Sequence, residues 1–319
     1  MKKDISENAP KKNKKGQKKK ISVISIIVIV LAACVFCLAA YKLITIYTSY
    51  KASDTSYDKI RDILQSSDQN STGQNSSTDL DSSGEDDQIS GGEDYDHDEL
   101  LPVEYEDAYD EGMTWNLSAL RAINSDVVGY IKARGDGNIV DYPIVQGTDN
   151  DYYLDHMVDC TYNAAGSIFM DYSLKYGFSS PYCIIYGHNM AYGSRMFGYL
   201  KQYDNTPSYY SGHTEYDIYA GEKHYVYKVF AIYIAETSGL TYSSPLLYSF
   251  ENMTEEQRES YLREFASFAL SQSQVDTGYT VDDVNSSSHL ITLSTCYGDY
   301  SNPYRYVVVL IRDRIVLSK

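Results

Sequence analysis

Hydrophobic and polar positions divide the chain into stretches of different character. Residues 21–41 form a predominantly apolar run of 21 residues that contains no charged side chain. As an α-helix, a run of this length crosses the roughly 30 Å of hydrocarbon in a bilayer. The pattern therefore predicts a transmembrane helix over residues 21–41.

Nine lysines and two acidic residues precede this helix, within residues 1–20. Lysines mark the cytoplasmic side of membrane helices. The sequence therefore predicts a basic cytoplasmic tip, a single pass through the cell membrane and the rest of the chain on the extracellular face. A cleaved signal peptide is the competing interpretation, but Ala39-Ala40-Tyr41 is a poor match to the small-x-small site that cleavage requires.

Residues 42–99 are predicted to be an extracytoplasmic stem followed by an acidic tether. The stem, residues 42–65, has spaced apolar side chains that indicate a helical extension of the membrane helix. Between Asp68 and Glu99 there are eleven acidic residues and no lysine or arginine. Such a segment buries too little apolar surface to order itself, so a disordered, self-repelling tether is expected.

Residues 100–319 contain many short strand-like segments and few helices. Alternating or wholly apolar runs predict eight strands, over residues 127–132, 139–145, 166–170, 182–187, 215–220, 224–235, 289–296 and 305–312. This arrangement is typical of a closed β-barrel. The clearest helix runs from Thr254 to Gln272, because Thr254 is a good N-cap and one face carries the apolar side chains Tyr261, Leu262, Phe265, Phe268 and Ala269. A shorter helix is predicted over residues 115–124.

Composition limits the partners of this domain. The net charge is −17, and because residues 1–20 contribute +7, the remainder carries −24. An acidic body argues against nucleic acid as a partner. Tyrosine, at 34 residues, far exceeds phenylalanine at 8, which indicates either a surface for extended peptides or ordinary exposed sheet faces. No spacing of cysteine and histidine predicts a metal site, and no cofactor is expected.

Five cysteines are too few and too irregularly spaced for a disulfide scaffold. Cys34 and Cys37 fall inside the apolar run, where packing in the membrane is the expected role. Cys160 and Cys183 are interpreted either as a disulfide or as two unpaired thiols. The fifth, Cys296, shares a strand face with polar residues, which indicates a reactive cysteine.

Cys296 ends the predicted strand Leu290-Ile-Thr-Leu-Ser-Thr-Cys296. Alternation places Thr292 and Ser294 on the face of the cysteine, a polar setting that an inert core cysteine does not need. A thiolate is the nucleophilic form, and at the ordinary pKa of about 8.5 only a few per cent of a cysteine is ionised at neutral pH. A nearby cation would raise that fraction.

Histidine and arginine candidates for that cation also lie at strand ends, where loops expose side chains. His188 follows an apolar strand and a glycine, and His156 is the second candidate. Arg305 lies nearest the cysteine loop. Alternation places Arg312 and Arg314 on the opposite face, where they are expected to be solvated or ion-paired.

These residues belong to motifs that resemble one family. Thr-Leu-Ser-Thr-Cys, with an arginine nine residues on and preceded by Tyr-Gly-His-Asn-Met, is similar to the sortases, cysteine transpeptidases of Gram-positive cell surfaces. Residues 124–131, 141–146, 149–154 and 166–171 resemble the class B variant in particular. The resemblance implies a mainly β fold: a closed eight-stranded sortase-type β-barrel with an N-terminal helix and one long helix inserted before the cysteine strand. The catalytic domain is expected over residues 100–319.

The resemblance also implies an activity and a set of site residues. The expected enzyme cleaves the sorting motif of secreted surface proteins after threonine, through a thioester, and transfers them to an amine of a peptidoglycan precursor or of a pilin. Cys296, His188 and Arg305 are the implied catalytic residues. Ser294, Thr295 and Asn189 are the predicted substrate contacts. The alternatives are a pilin-polymerising sortase, a tethered hydrolytic cysteine peptidase and a non-catalytic wall-associated module.

Overall fold

The structure, a computed structural model, describes residues 23–66, 98, 101–106, 117–135, 140–190, 195–205, 208–221, 223–298 and 302–318. It divides into two compact units, Met1–Thr48 and Ser49–Lys319. The predicted cytoplasmic tip and most of the predicted tether lie outside the described residues.

Five α-helices and eleven strands occur within the described residues. The helices are α1 (Val23–Ser66), α2 (Leu117–Ile123), α3 (Gln202–Asn205), α4 (Leu240–Ser243) and α5 (Glu255–Gln272). The strands are β1 (Val103–Glu106), β2 (Val127–Ala133), β3 (Asp141–Val145), β4 (Ile168–Met170), β5 (Tyr182–Tyr186), β6 (Asn189–Met190), β7 (Arg195–Met196), β8 (Glu215–Ala220), β9 (Lys223–Glu236), β10 (Leu290–Cys296) and β11 (Tyr304–Ser318).

Eight of these strands close into a barrel, as predicted. Neighbouring strands follow the order β11-β10-β5-β4-β3-β2-β8-β9, and β9 pairs with β11 to complete the ring. The sheet is mixed, because β10 runs parallel to β5 and β3 parallel to β4, whereas the other barrel pairs are antiparallel. Strand β1 adds to the outside of the ring, parallel to the last residues of β11.

Strand β11 is longer than the sequence predicted, reaching Ser318 instead of residue 312. Register shifts occur between Val309 and Leu310 and between Arg312 and Arg314. Irregularities of this kind interrupt strict alternation, so the pattern loses its signal where the strand continues. Because β11 is long, its first part pairs with β10 and its last residues pair with β1.

Tyrosines fill much of the barrel core. The largest fully buried side chains include Tyr130, Tyr153, Tyr182, Tyr216, Tyr225, Tyr227, Tyr233 and Tyr306. Several of their hydroxyls find partners inside, as in the pair of Tyr182 with Thr292 at 2.9 Å and that of Tyr233 with Thr241 at 2.9 Å. These tyrosines form neither a surface for extended peptides nor an exposed sheet face. They can lie in the core because their hydroxyls form hydrogen bonds there.

Helix α5 lies between β9 and β10 in the sequence and confirms the predicted long helix. Thr254 Oγ1 accepts a hydrogen bond from the backbone N–H of Gln257, and the Gln257 side chain accepts one from the N–H of Thr254. This reciprocal cap fixes the start of the helix. Of the predicted apolar face, Leu262, Phe265 and Ala269 are buried, whereas Tyr261 and Phe268 are partly buried and pack against the core.

Helix α1 includes a segment, Ile26–Ile63, that is long and apolar enough to span a membrane. Its large apolar side chains between Ile24 and Tyr47 are exposed. The sequence assigned residues 42–99 to a stem and tether, but residues 49–66 belong to the same compact unit as the barrel. The physical reason is burial, because Tyr57 and Ile60 of this stretch are 3% and 5% exposed.

The cysteines in the described residues are unpaired. Cys160 is exposed, whereas Cys183 is buried within β5. Burial raises the pKa of the Cys183 thiol to about 12, and the nearby Arg312 opposes this only in part. The thiol of Cys183 is therefore protonated and shielded at neutral pH, which agrees with the interpretation as two separate thiols.

Candidate active site

Three strands of the barrel bring the candidate catalytic residues to one edge. Cys296 ends β10 and lies opposite Arg305, near the start of the antiparallel β11. On the other side of β10, the parallel β5 places Tyr186 beside Ser294, and the N–H of Gly187 donates to the Ser294 carbonyl at 3.1 Å. His188 follows directly, so sequence-distant residues meet where three adjacent strands end.

Gly187 is required by the close packing under this edge. A Cβ built at Gly187 would lie 2.5 Å from Ile168 Cδ1 and 2.8 Å from the ring of Phe197. Contacts so short do not occur between real side chains, so a residue with a Cβ would push the backbone outwards. The glycine therefore lets His188 sit close against the barrel.

The imidazole of His188 is oriented by a backbone carbonyl. Its Nε2 lies 2.6 Å from the carbonyl oxygen of Leu154, which ends a short 3₁₀ helix, Tyr152–Leu154. A carbonyl only accepts, so this contact requires a proton on Nε2 and selects the tautomer whose Nδ1 is the basic nitrogen.

The 3₁₀ helix is itself anchored from several sides. The Asp149 carboxylate accepts from the N–H groups of Asp151 and Tyr152, both at 2.8 Å, and these bonds lower the pKa of Asp149. The Tyr153 hydroxyl bonds to Asn124 and Asp126. The loop that presents the Leu154 carbonyl is thus fixed independently of the histidine.

Arg305 is held by its own loop. Its Nη1 donates to the carbonyl oxygens of Asn302 at 2.8 Å and Tyr304 at 3.0 Å. Within the described part of the chain, Nε and Nη2 of Arg305 have no protein acceptor. A partly buried guanidinium with donors to spare, next to a cysteine, can bind a carbonyl or an oxyanion.

One open pocket of about 490 Å³ contains all three residues. Its lining also includes Asn150, Leu154, Asp171, Tyr186, Thr237, Tyr242, Tyr248, Ser294 and Thr295. The buried Asp171 carboxylate accepts from the Tyr186 hydroxyl at 2.8 Å and from Asn150 at 2.9 Å. Residues from the motifs at 149–154, 166–171 and 186–190 therefore line a single pocket.

The predicted substrate contacts have different surroundings. Ser294 lines the pocket and shares a 2.7 Å hydrogen bond with the Tyr242 hydroxyl. Thr295 is 2% exposed, and its Oγ1 has no hydrogen-bond partner among the described residues. Asn189 donates from Nδ2 to the Cys296 carbonyl at 3.0 Å, so it holds the cysteine's backbone.

Tyr242 is a pocket residue that sequence reasoning did not single out. It lies on α4, between β9 and α5. Burial raises the pKa of Tyr242 to about 12, although the Ser294 hydroxyl and Arg305 lower it. The phenol therefore remains protonated at neutral pH and is available as a hydrogen-bond donor.

The competing histidine and arginine candidates lie elsewhere. The His156 ring stacks on Tyr152 with centroids 4.0 Å apart and does not line the pocket. Arg312 is buried beneath Tyr225, with its guanidinium 4.2 Å from the ring centroid. Arg314 pairs with Glu104 and Glu215.

Comparison with known proteins agrees with this arrangement. The sequence profile of the sortase domain matches residues 131–312. Sortase B of Listeria monocytogenes is 32% identical over 202 residues, which are 63% of this chain and 74% of that protein. The structure of sortase B from Clostridium perfringens is 29% identical, with a TM-score of 0.51, and covers 62% of this chain and 99% of that one. The Staphylococcus aureus sortase B–substrate complex is 26% identical, with a TM-score of 0.50, and covers 62% of this chain and 82% of that one.

A profile match over more than half of the chain, relatives that are sortase B enzymes and a shared barrel lead to one conclusion. The chain belongs to the sortase family of cysteine transpeptidases, with class B sortases as its relatives.

Proposed function

We propose that this sortase cleaves the sorting motif of secreted surface proteins after a threonine and transfers them to a cell-wall amine, with Cys296, His188 and Arg305 as its catalytic residues. The observation that supports this most directly is the pairing of Cys296 with Arg305 across β10 and β11, with His188 lining the same pocket. A nucleophile, a proton carrier and an oxyanion partner are then within reach of one bound amide.

In the first half-reaction, the Cys296 thiolate attacks the threonine carbonyl of the donor peptide. The C–S bond forms as the carbonyl oxygen takes negative charge, and Arg305 donates from Nε or Nη2 to this oxyanion. The intermediate collapses when the C–N bond breaks. Protonated His188 gives its Nδ1 proton to the departing amine, and an acyl-thioester on Cys296 remains.

In the second half-reaction, His188 accepts a proton from the incoming amine as the amine attacks the thioester. The new C–N bond forms, the C–S bond breaks, and Cys296 leaves as the thiolate. The Leu154 carbonyl remains on Nε2 throughout, so the same nitrogen, Nδ1, gives and takes the proton. Because water always competes, the amine must be pre-positioned. Good positioning is worth effective molarities of about 10⁵ M or more.

The proposal also includes where the donor peptide binds. A solved relative from Staphylococcus aureus is described as a substrate complex, and the pocket here lies in a domain of the same fold. We place the sorting peptide along this pocket, near Ser294, Thr295 and Asn189. Helix α1 would anchor the enzyme in the cell membrane, with residues 1–20 in the cytoplasm and the barrel outside, where exported substrates and lipid-linked wall precursors arrive.

The nucleophile assignment is tested in the full chain in detergent micelles with a library of fluorogenic sorting peptides. We expect Cys296→Ala to lose activity by about 10³-fold or more, because no other group forms the acyl intermediate. Cys160→Ala is the matched control, since it removes an exposed thiol outside the pocket. Cleavage by Cys296→Ala at the wild-type rate would refute the assignment.

Transfer and simple hydrolysis are separated by their products. Mass spectrometry of the acyl product with and without added glycyl or lysyl amines should show an amide in place of a free acid. A product that stays a free acid with every amine tested would favour the hydrolytic cysteine peptidase.

A further inference from the structure

The C-terminal part of α1 is fastened to the barrel by polar and apolar contacts. Ser49 Oγ donates to Asn163 Oδ1 at 2.7 Å, and the Tyr57 hydroxyl donates to the Gly166 carbonyl at 3.2 Å. Farther along the helix, Arg61 Nε donates to the Asp141 carboxylate at 3.0 Å. This stretch of helix is therefore a fixed part of the catalytic unit.

One further contact joins this helix to the segment that follows the catalytic histidine. The Asp54 carboxylate accepts a hydrogen bond from Nη2 of Arg195, at 2.5 Å. Arg195 begins β7, which pairs with β6 so that Arg195 lies opposite Met190. Strand β6 starts at Asn189, the residue next to His188.

The β6–β7 pair reaches the cysteine as well as the histidine. Asn189 Nδ2 holds the Cys296 carbonyl at 3.0 Å, as described above. A Cβ on Gly198 would lie 2.8 Å from the backbone nitrogen of Met190, so the backbone of β6 packs closely against Gly198. A displacement of β6 outwards, towards α1, would carry both His188 and the Cys296 carbonyl contact with it.

Packing alone does not fill the space between α1 and this strand pair. A cavity of about 370 Å³ lies there, lined by Asp54, Tyr57, Met190, Arg195 and Met196 among others. Within the cavity itself, few van der Waals contacts join the helix to the strand pair. Among the described residues, the bridge from Asp54 to Arg195 is a direct polar link between the strand pair and the helix at this point.

We propose that Asp54 and Arg195 are positioning residues, which hold the β6–β7 pair and through it place His188 and Asn189 against Cys296. The proposal rests on the proposed function, because it presumes that these groups carry out the acyl transfer. It makes the stem helix a working part of the active site in addition to its place after the membrane segment.

The test uses the full chain in detergent micelles, with Asp54→Asn, Arg195→Gln and the charge-swapped double variant D54R/R195D. We expect each single variant to lower kcat by about two- to fivefold, the size typical of a partly exposed ion pair, with KM nearly unchanged. The swap restores the attraction, so it should recover kcat to near the wild-type value. Glu259→Gln on α5 is the matched control, because its pair with Arg263 has similar exposure and lies away from the pocket.

A second readout does not depend on the choice of peptide or amine. The rate of Cys296 alkylation by iodoacetamide, followed by mass spectrometry, should change by about twofold or more in the single variants and return in the swap. Unchanged kcat and alkylation in both single variants would overturn the proposal, as would a swap that recovers thermal stability but neither rate. Absence of Cys296-dependent transfer in the wild-type chain would instead count against the proposed function, and alkylation would still decide the positioning role.

Discussion

Cys296 and Arg305 lie directly opposite each other in the antiparallel pairing of β10 with β11. The register of the two strands places the backbones of these two residues side by side. Two backbone carbonyls, of Asn302 and Tyr304, accept hydrogen bonds from Nη1 of the guanidinium. The remaining donors therefore point from a rigid base, as electrostatic catalysis requires.

Replacement of Arg305 tests whether the planar guanidinium, with its several N–H donors, matters beyond its charge. Lysine keeps a cation but cannot bond the loop carbonyls and an oxyanion with one planar group. We expect Arg305→Lys to lower kcat/KM by about tenfold or more and Arg305→Ala by about 10²- to 10³-fold. Steady-state kinetics with a cleavable peptide measures both. Full activity in Arg305→Lys would show that charge alone suffices.

Removal of the Tyr242 hydroxyl should destabilise the protein through Ser294. Ser294 Oγ is buried, and its hydrogen bond in the described structure is to Tyr242. Tyr242→Phe leaves that hydroxyl unsatisfied, which costs about 1–3 kcal/mol of unfolding free energy. Thermal unfolding of Tyr242→Phe, Ser294→Ala and the double variant measures the coupling. Strictly additive losses would show that the two hydroxyls do not interact.

Substitution of Gly187 tests the close packing under His188. We expect Gly187→Ala to cost about 1–3 kcal/mol of stability, because the added methyl group overlaps Ile168 and Phe197. It should also lower kcat by displacing His188. Gly212→Ala is the control, since a Cβ there meets nothing within 4 Å. Equal melting temperatures for the two variants would contradict the packing argument.

Acid should weaken the contribution of Asp217 to stability. Burial alone would raise the pKa of this carboxyl, but hydrogen bonds from His224 and Arg134 lower it overall. The unfolded chain therefore binds the proton more readily, and the stabilisation is present above the ordinary aspartate pKa of about 4. It is lost as the pH falls through the lower folded-state pKa.

The measurement is the melting temperature of wild type and Asp217→Asn between pH 2 and 8. The difference between the two proteins should be full at pH 6–8 and shrink steadily at acid pH. Asp282→Asn, which alters a side chain that is 96% exposed, should show little pH-dependent difference. A difference for Asp217→Asn that stays constant down to pH 2 would rule out this linkage.

Local sequence signals predicted much of the fold. Helix α5 follows from its N-cap and apolar face, and β10 from a short run of strand-forming residues ending at Cys296. The end of β11 escaped prediction because Arg312, Asp313 and Arg314 resemble the end of a strand. In the structure, these charges are neutralised by partners such as Asp98 and Glu215, which lie far away in the sequence.

The candidate site was only partly predictable. His188, Cys296 and Arg305 were identified because they end strands within recognisable motifs. The contact of Asn189 with the Cys296 carbonyl joins residues 107 positions apart, and that of Tyr242 with Ser294 joins residues 52 apart. The pattern of apolar and polar residues does not predict such long-range pairs. It also does not predict that Tyr57 and Asp54 of α1 contact the barrel.

By itself, the sequence determined the apolar helix, the short strands and the family, since each depends on the order of residue types along the chain. The tertiary structure decided which polar groups meet: the Leu154 carbonyl on His188, Tyr242 on Ser294, and Asp54 on Arg195. The physical reason is that hydrogen bonds and ion pairs act over about 3 Å. Only the closed barrel brings distant parts of the chain within that range.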